Sequence, residues 1–210
     1  LLLKGERRSK RVGLLRRCEA VVEQASGAIT SQEISDAVLR VYGRRVTTSR
    51  INSDLPKSEV ILSWGRGRFV HPQHVKYDKD FVQDVISRTA VRLAQQGVPF
   101  LSVYGIFREK QVDALEAGVP NDHALYSLLR KEGRHVLKCE RYPYIQSIAA
   151  DSSPKAHVYI EEWVADAGRP VSVKKLRHQL CNELGLRDSH YHQAVALASN
   201  VIQAGDGHLL

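Results

Sequence analysis

Residues 27–72 read GAITSQEISDAVLRVYGRRVTTSRINSDLPKSEVILSWGRGRFVHP, and the order of signals in this stretch decides the fold. Gly27 is placed to end a preceding helix as a C-cap. Ala28-Ile29 is long enough for a minimal strand. Thr30 or Ser31 then caps a helix over Gln32–Tyr42, and Thr30-x-x-Glu33 matches a capping box. Gly43-Arg-Arg-Val46 breaks that helix. Thr47 or Thr48 caps a further helix over Thr47–Leu55 that buries Ile51 and Leu55. Val60–Trp64, Gly65-Arg-Gly67 and Arg68–Pro72 make two apolar strands about a glycine turn, a β-hairpin signal. Upstream, Val12, Leu15, Cys18 and Val22 share one helical face.

The pattern recurs. Gly97-Val-Pro-Phe-Leu-Ser102 leads into Val103–Ala117, a break at Gly118-Val-Pro120, and Asn121–Glu132. Gly168-Arg-Pro-Val-Ser172 leads into Val173–Leu184, a break at Gly185-Leu-Arg187, and Asp188–Asn200. The marker glycines are 70 and 71 residues apart. Preceding helices carry apolar faces at Phe81, Val82, Val85, Ile86 and Leu93, and at Val158, Tyr159, Trp163 and Val164. Hairpin signals follow at His135–Cys139 with Tyr144-Ile145, and at Val201-Ile202 with His208–Leu210. The fold class expected is mainly α with short β-hairpins, an α+β arrangement of three modules over residues 1–75, 76–150 and 151–210. His71–Asp80 and Ala149–Lys155 are the candidate linkers.

Helix, short strand, helix, turn, helix and hairpin is the element order of a winged helix. From about Lys10 to Leu210 the chain resembles three tandem winged helix modules of the helix-turn-helix superfamily, and Trp64–Pro72 looks like a wing. That resemblance implies that the third helix enters the major groove of DNA and that the hairpin touches backbone or minor groove.

In the first module the groove-facing candidates are Thr47, Thr48, Ser49, Arg50 and Asn52, with Lys57 just beyond. Arg50 suits guanine O6 and N7, and Asn52 suits adenine. Arg44 and Arg45 in the turn suit the backbone, and Arg66 and Arg68 suit phosphate or a narrow minor groove. The competing reading has Thr47 and Thr48 acting only as caps and Arg50 pairing with Asp54 four residues on. In the second module Asn121, Asp122, His123 and Tyr126 are expected to face outward, followed by Arg130 and Lys131. Arg134, Lys138 and Arg141 add charge around the hairpin. Asp122 opposes phosphate and suits the helix start. The aromatic tip Tyr142-Pro143-Tyr144 either stacks on a ligand or packs on a neighbouring module. The third module offers Arg187, His190, His192 and Gln193, and packing is its expected use.

Charge supports this ranking. The chain has 210 residues with 31 Lys/Arg and 23 Asp/Glu, a formal net charge of +8. Residues 1–75 hold 14 Lys/Arg against 7 Asp/Glu, while residues 151–210 hold 6 against 7. A basic first third points to an anionic partner, most simply duplex DNA.

Other classes are poorly served. No apolar run approaches a membrane span. Leu1–Leu3 is too short for a signal peptide's apolar region. Cys18, Cys139 and Cys181 lie far apart without Cys-x-x-Cys spacing, which fits a reducing compartment, cytoplasmic (nucleoid-associated) or nuclear, and no zinc site. His190 and His192 are two apart, a poor metal pair on a helix. There is no phosphate-binding loop, His-Glu-x-x-His or Gly-x-Ser-x-Gly motif, so neither catalysis nor a cofactor is expected. The lack of Met and the start at Leu1 fit a piece of a longer polypeptide. The partner expected is duplex DNA, with protein subunits a second possibility through the third module. A protein-interaction scaffold and structured-RNA binding stay open as alternatives.

Overall fold

The computed structural model describes residues 13–151, 153, 155–201 and 208–209. The fold is mainly helical with small antiparallel sheets, an α+β arrangement. The chain divides into two compact units, Leu1–Lys76 and Tyr77–Leu210. The second holds the stretches read above as the second and third repeats. No described helix is long and apolar enough to cross a membrane.

The first unit runs α1 (Leu14–Gln24), β1 (Ile29–Thr30), α2 (Ser31–Tyr42), α3 (Thr48–Asp54), β2 (Leu62–Gly65) and β3 (Arg68–Val70). Single 3-10 turns follow α3 and β3, at Leu55–Lys57 and Pro72–His74. The strands order β1-β3-β2, all antiparallel, with Ile29 opposite Phe69 and Leu62 opposite Val70. Register slips between Ser63 and Gly65, a bulge at the hairpin end. Thr30 caps α2 in a complete capping box: its hydroxyl accepts the Glu33 N–H, and the Glu33 carboxylate accepts the Thr30 N–H at 2.6 Å. Val22, Ile34, Val38, Ile51, Leu55 and Phe69 form the core beneath. Two expectations change here. Gly27 does not cap α1, which ends at Gln24 with Ala25 already extended. Val12 lies outside the described residues.

The second unit runs α4 (Lys79–Gln96), β4 (Leu101–Ser102), α5 (Val103–Glu109), α6 (Gln111–Glu116), α7 (Asp122–Glu132), β5 (Leu137–Lys138) and β6 (Tyr144–Ser147). It continues with α8 (Ala156–Ala167), β7 (Val171–Ser172), α9 (Val173–Arg177), α10 (Asp188–Leu197) and β8 (His208–Leu209). One sheet orders β4-β6-β5, and β7 pairs with β8. The helix expected over 103–117 is broken at Lys110, where φ is −119°. The one expected over 173–184 widens after α9 into a π-helical turn, His178–Glu183. Ser172 makes no capping bond, and neither Asp188 nor Ser189 caps α10, whose N-cap is Arg187. On α8 the buried line is Ala156, Ile160 and Val164, with Trp163 turned toward Lys175. Most of the third hairpin lies outside the described residues.

Candidate nucleic-acid interface

In the first unit one serine ties the hairpin turn to α3. The Ser31 N–H donates to the Gly67 carbonyl at 2.9 Å. The Ser31 hydroxyl shares its hydrogen between Asn52 Oδ1 at 2.6 Å and that same carbonyl at 3.0 Å. Gly67 has φ +67°, and a Cβ there would sit 3.1 Å from Ser31 Oγ. The positive φ and the close Ser31 hydroxyl together favour glycine at this position. The turn is thereby fixed beside α3, with Arg66 and Arg68 exposed on either side of Gly67.

The other candidates surround this clasp. Arg44 and Arg45 are exposed between α2 and α3. Thr47 caps α3, its hydroxyl accepting the Arg50 N–H at 3.2 Å. Ser49, Arg50, Asn52 and Lys57 are exposed and Thr48 is half-buried. Arg50 Nε donates to Asp54 at 2.6 Å, and Lys57 lies 4.0 Å from the other Asp54 oxygen. The competing reading of Arg50 therefore holds in this structure. That pair is worth at most about 1 kcal/mol, because it is exposed. A guanine edge, worth about 1–3 kcal/mol, is strong enough to displace it. Asn52 Oδ1, one of the two amide atoms that a bidentate adenine contact uses, accepts the Ser31 hydroxyl. The Glu33 carboxyl is held below its ordinary range, first by the Thr30 N–H, then by the Thr30 hydroxyl, and in smaller part by Arg68.

The second unit treats the equivalent helix differently. Asn121 caps α7 by accepting the Ala124 N–H at 3.0 Å. Asp122 is buried, and accepts the Tyr142 hydroxyl at 2.6 Å and Arg187 Nη2 at 2.5 Å. The His123 ring stacks on Tyr142 with centroids 4.2 Å apart. Tyr126 is buried with its edge on Tyr142, and burial pushes its phenol far up. The Arg187 guanidinium also lies over the Tyr104 ring at 4.4 Å. Alongside, Gly105 and Gly185 meet backbone to backbone: a Cβ on Gly105 would come within 2.5 Å of Gly185 Cα. Ser102 N–H donates to the Leu184 carbonyl at 2.8 Å, and Arg92 Nη2 to the Glu183 carbonyl at 2.6 Å.

The expectation that Asn121, Asp122, His123 and Tyr126 face outward is thus corrected for Asp122 and Tyr126, which are buried, while Asn121 and His123 are half-buried. The segment before α10 seats on α5 and on the start of α7. Lys131 and Arg134 remain exposed, and Arg130 is half-buried. Lys138 donates to the Ala150 carbonyl at 2.8 Å and lies 3.4 Å from Glu140. His190 is half-buried, its imidazole pushed down first by burial and then by the Arg187 charge. His192 and Gln193 are exposed.

Two features escaped the sequence reading. Ser31 reads as a cap and works as a clasp. The Asp122–Arg187 pair spans 65 residues and leaves no local signature. Among the described residues no group of three or more His, Cys, Asp or Glu is placed to hold a metal ion. No protein-family model, curated protein or solved structure matches the chain.

Proposed function

We propose that the chain binds double-stranded DNA without catalysing a reaction, and that its first unit is a winged helix that makes the contact. In this reading α3 enters the major groove and the β2–β3 hairpin lies on the backbone or minor groove. One observation carries it: Ser31 clasps the hairpin turn to α3, so four exposed arginines (Arg44, Arg45, Arg66, Arg68) flank one exposed polar helix. Among the described residues none of these four pairs with a carboxylate within 4.0 Å. Their charge is available to phosphate.

A second reading applies to the second unit. Its α7 face is closed by Tyr142 and Arg187, which favours a role as a rigid platform for protein contacts over groove reading.

Fluorescence anisotropy on a random-sequence duplex at about 50 and 200 mM salt tests the DNA reading. Four phosphate contacts predict roughly 100-fold weaker binding at the higher salt. Absence of binding at the lower salt overturns the proposal and leaves the platform reading in its place. Tighter binding to a structured RNA of equal charge moves the assignment to RNA.

A further inference from the structure

In the second unit a cleft of about 350 Å³ opens between α5 and the segment running from α9 into α10. Four permanent cations line it: Arg108, Lys174, Arg177 and Arg187. Asp188 is its one acidic lining residue. Two of the cations are spoken for. Arg187 is held by Asp122 and Tyr104. Arg177 donates twice to Asp188 Oδ1, at 2.9 and 3.1 Å. The other two have no carboxylate partner: Arg108 lies over the Tyr104 ring with its guanidinium 5.9 Å from the centroid, and neither it nor Lys174 pairs with a carboxylate among the described residues. His178, also in the lining, lies 3.9 Å from Glu183, so that carboxylate faces the imidazole.

Unpaired cations gathered around a concave surface repel one another, and the cleft walls focus their field on the space between. An anion entering that space relieves the repulsion. A guanidinium fork and a mobile ammonium suit the tetrahedral oxygens of phosphate. The cleft volume falls at the lower end of the range for small-molecule sites, larger than a bare phosphate needs.

We propose that this cleft binds the phosphate group of a nucleotide, with Arg108 and Lys174 as its direct ligands and Arg177 and Arg187 as a fixed positive wall. The phosphate comes either from a free nucleoside monophosphate or from a nucleic-acid backbone. The site belongs to the second unit and does not rest on the duplex reading of the first, so the two stand or fall separately.

The test is calorimetric titration of the full chain at constant ionic strength with three probes: inorganic phosphate, a nucleoside monophosphate and a short duplex. To silence the first unit the chain carries Arg44→Ala, Arg45→Ala, Arg66→Ala and Arg68→Ala. Saturable binding of the monophosphate, weakened at least tenfold by Arg108→Ala with Lys174→Ala and regained in part when Lys174→Arg replaces Lys174→Ala, supports a free-nucleotide site. The same pattern with the duplex alone supports a backbone site. No saturable binding of any probe, or binding unchanged by the double substitution, overturns the proposal. Both substituted side chains are exposed, and Trp163 fluorescence checks that the unit stays folded.

Discussion

Helices α3 and α7 occupy the same place in the order of elements, yet one is open and the other is closed. Around α3 the polar side chains Ser49, Arg50 and Asn52 are exposed. On α7 Asp122, Ala124, Leu125, Tyr126, Leu128 and Leu129 are all buried. The difference begins with one residue. The position after the α7 cap is a carboxylate, Asp122, and a buried carboxylate requires partners. Tyr142 and Arg187 supply them, and bring the hairpin tip and the next repeat over the helix. At α3 the corresponding residue is Thr48, a half-buried neutral side chain that makes no such demand. A repeated architecture therefore does not repeat its free surface.

The largest expected effect tests that contrast directly. Replacing Arg44, Arg45, Arg66 and Arg68 with Ala is expected to weaken duplex binding at least 100-fold at low salt, through four lost phosphate contacts. Replacing Arg130, Lys131, Arg134 and Lys138 with Ala is expected to change it less than about threefold. Anisotropy titrations of both variants decide the matter. Equal losses would mean that both helices face the DNA and that the contrast is wrong.

Next comes the contact that closes the second unit. Gly105→Ala forces a methyl group into the Gly185 backbone and is expected to cost about 3 kcal/mol, as overpacking against rigid atoms does. The loss should be confined to the second unit. Each unit holds one tryptophan, Trp64 and Trp163, so denaturation followed in Trp64→Phe and Trp163→Phe backgrounds reads the units one at a time. A shift in the Trp64 transition equal to that of Trp163 would show the contact to be shared by the whole chain.

Much of this was legible in the sequence because it is local. Gly43, Gly118 and Gly185 all adopt positive φ at the helix breaks that the sequence predicts. The Thr30–Glu33 capping box and the Thr47 and Asn121 caps follow from residue type and spacing alone. Gly27 misled because Ala25 turns the chain before a left-handed residue is needed. The break at Lys110 and the π-helical turn at 178–183 lie in continuous helical periodicity, where tertiary packing overrides the pattern. The closure of α7 was not legible, because Tyr142 and Arg187 lie 20 and 65 residues from Asp122.

A smaller effect separates the two roles proposed at α3. Arg50→Ala is expected to cost about 1–3 kcal/mol on the preferred site and little on random DNA. Ser31→Ala is expected to weaken binding to all sequences and to cost about 1 kcal/mol of first-unit stability, through the lost clasp. Both are read from paired titrations on selected and random duplexes. If Ser31→Ala altered only sequence preference, the clasp would not be what positions the hairpin.

The mildest effect concerns the buried thiols and again divides the units. Burial, with Asp54 and Glu19 adding to it, pushes Cys18 in the first unit up to about 11. Burial pushes Cys139 in the second up to about 12, and raises Cys181 as well. A folded-state pKa above the ordinary thiol value means that the folded state keeps its proton longer than the unfolded chain. The stabilisation is complete below the unfolded thiol's pKa near 9 and is lost as pH rises through the folded value. Raising pH from 8 to 10 is therefore expected to cost each of Cys18 and Cys139 about 1 kcal/mol. With two thiols, the second unit should lose more than the first. Cys18→Ala should flatten the alkaline decline seen through Trp64 and leave that seen through Trp163 intact. A decline unchanged in both would place its origin in groups other than the thiols.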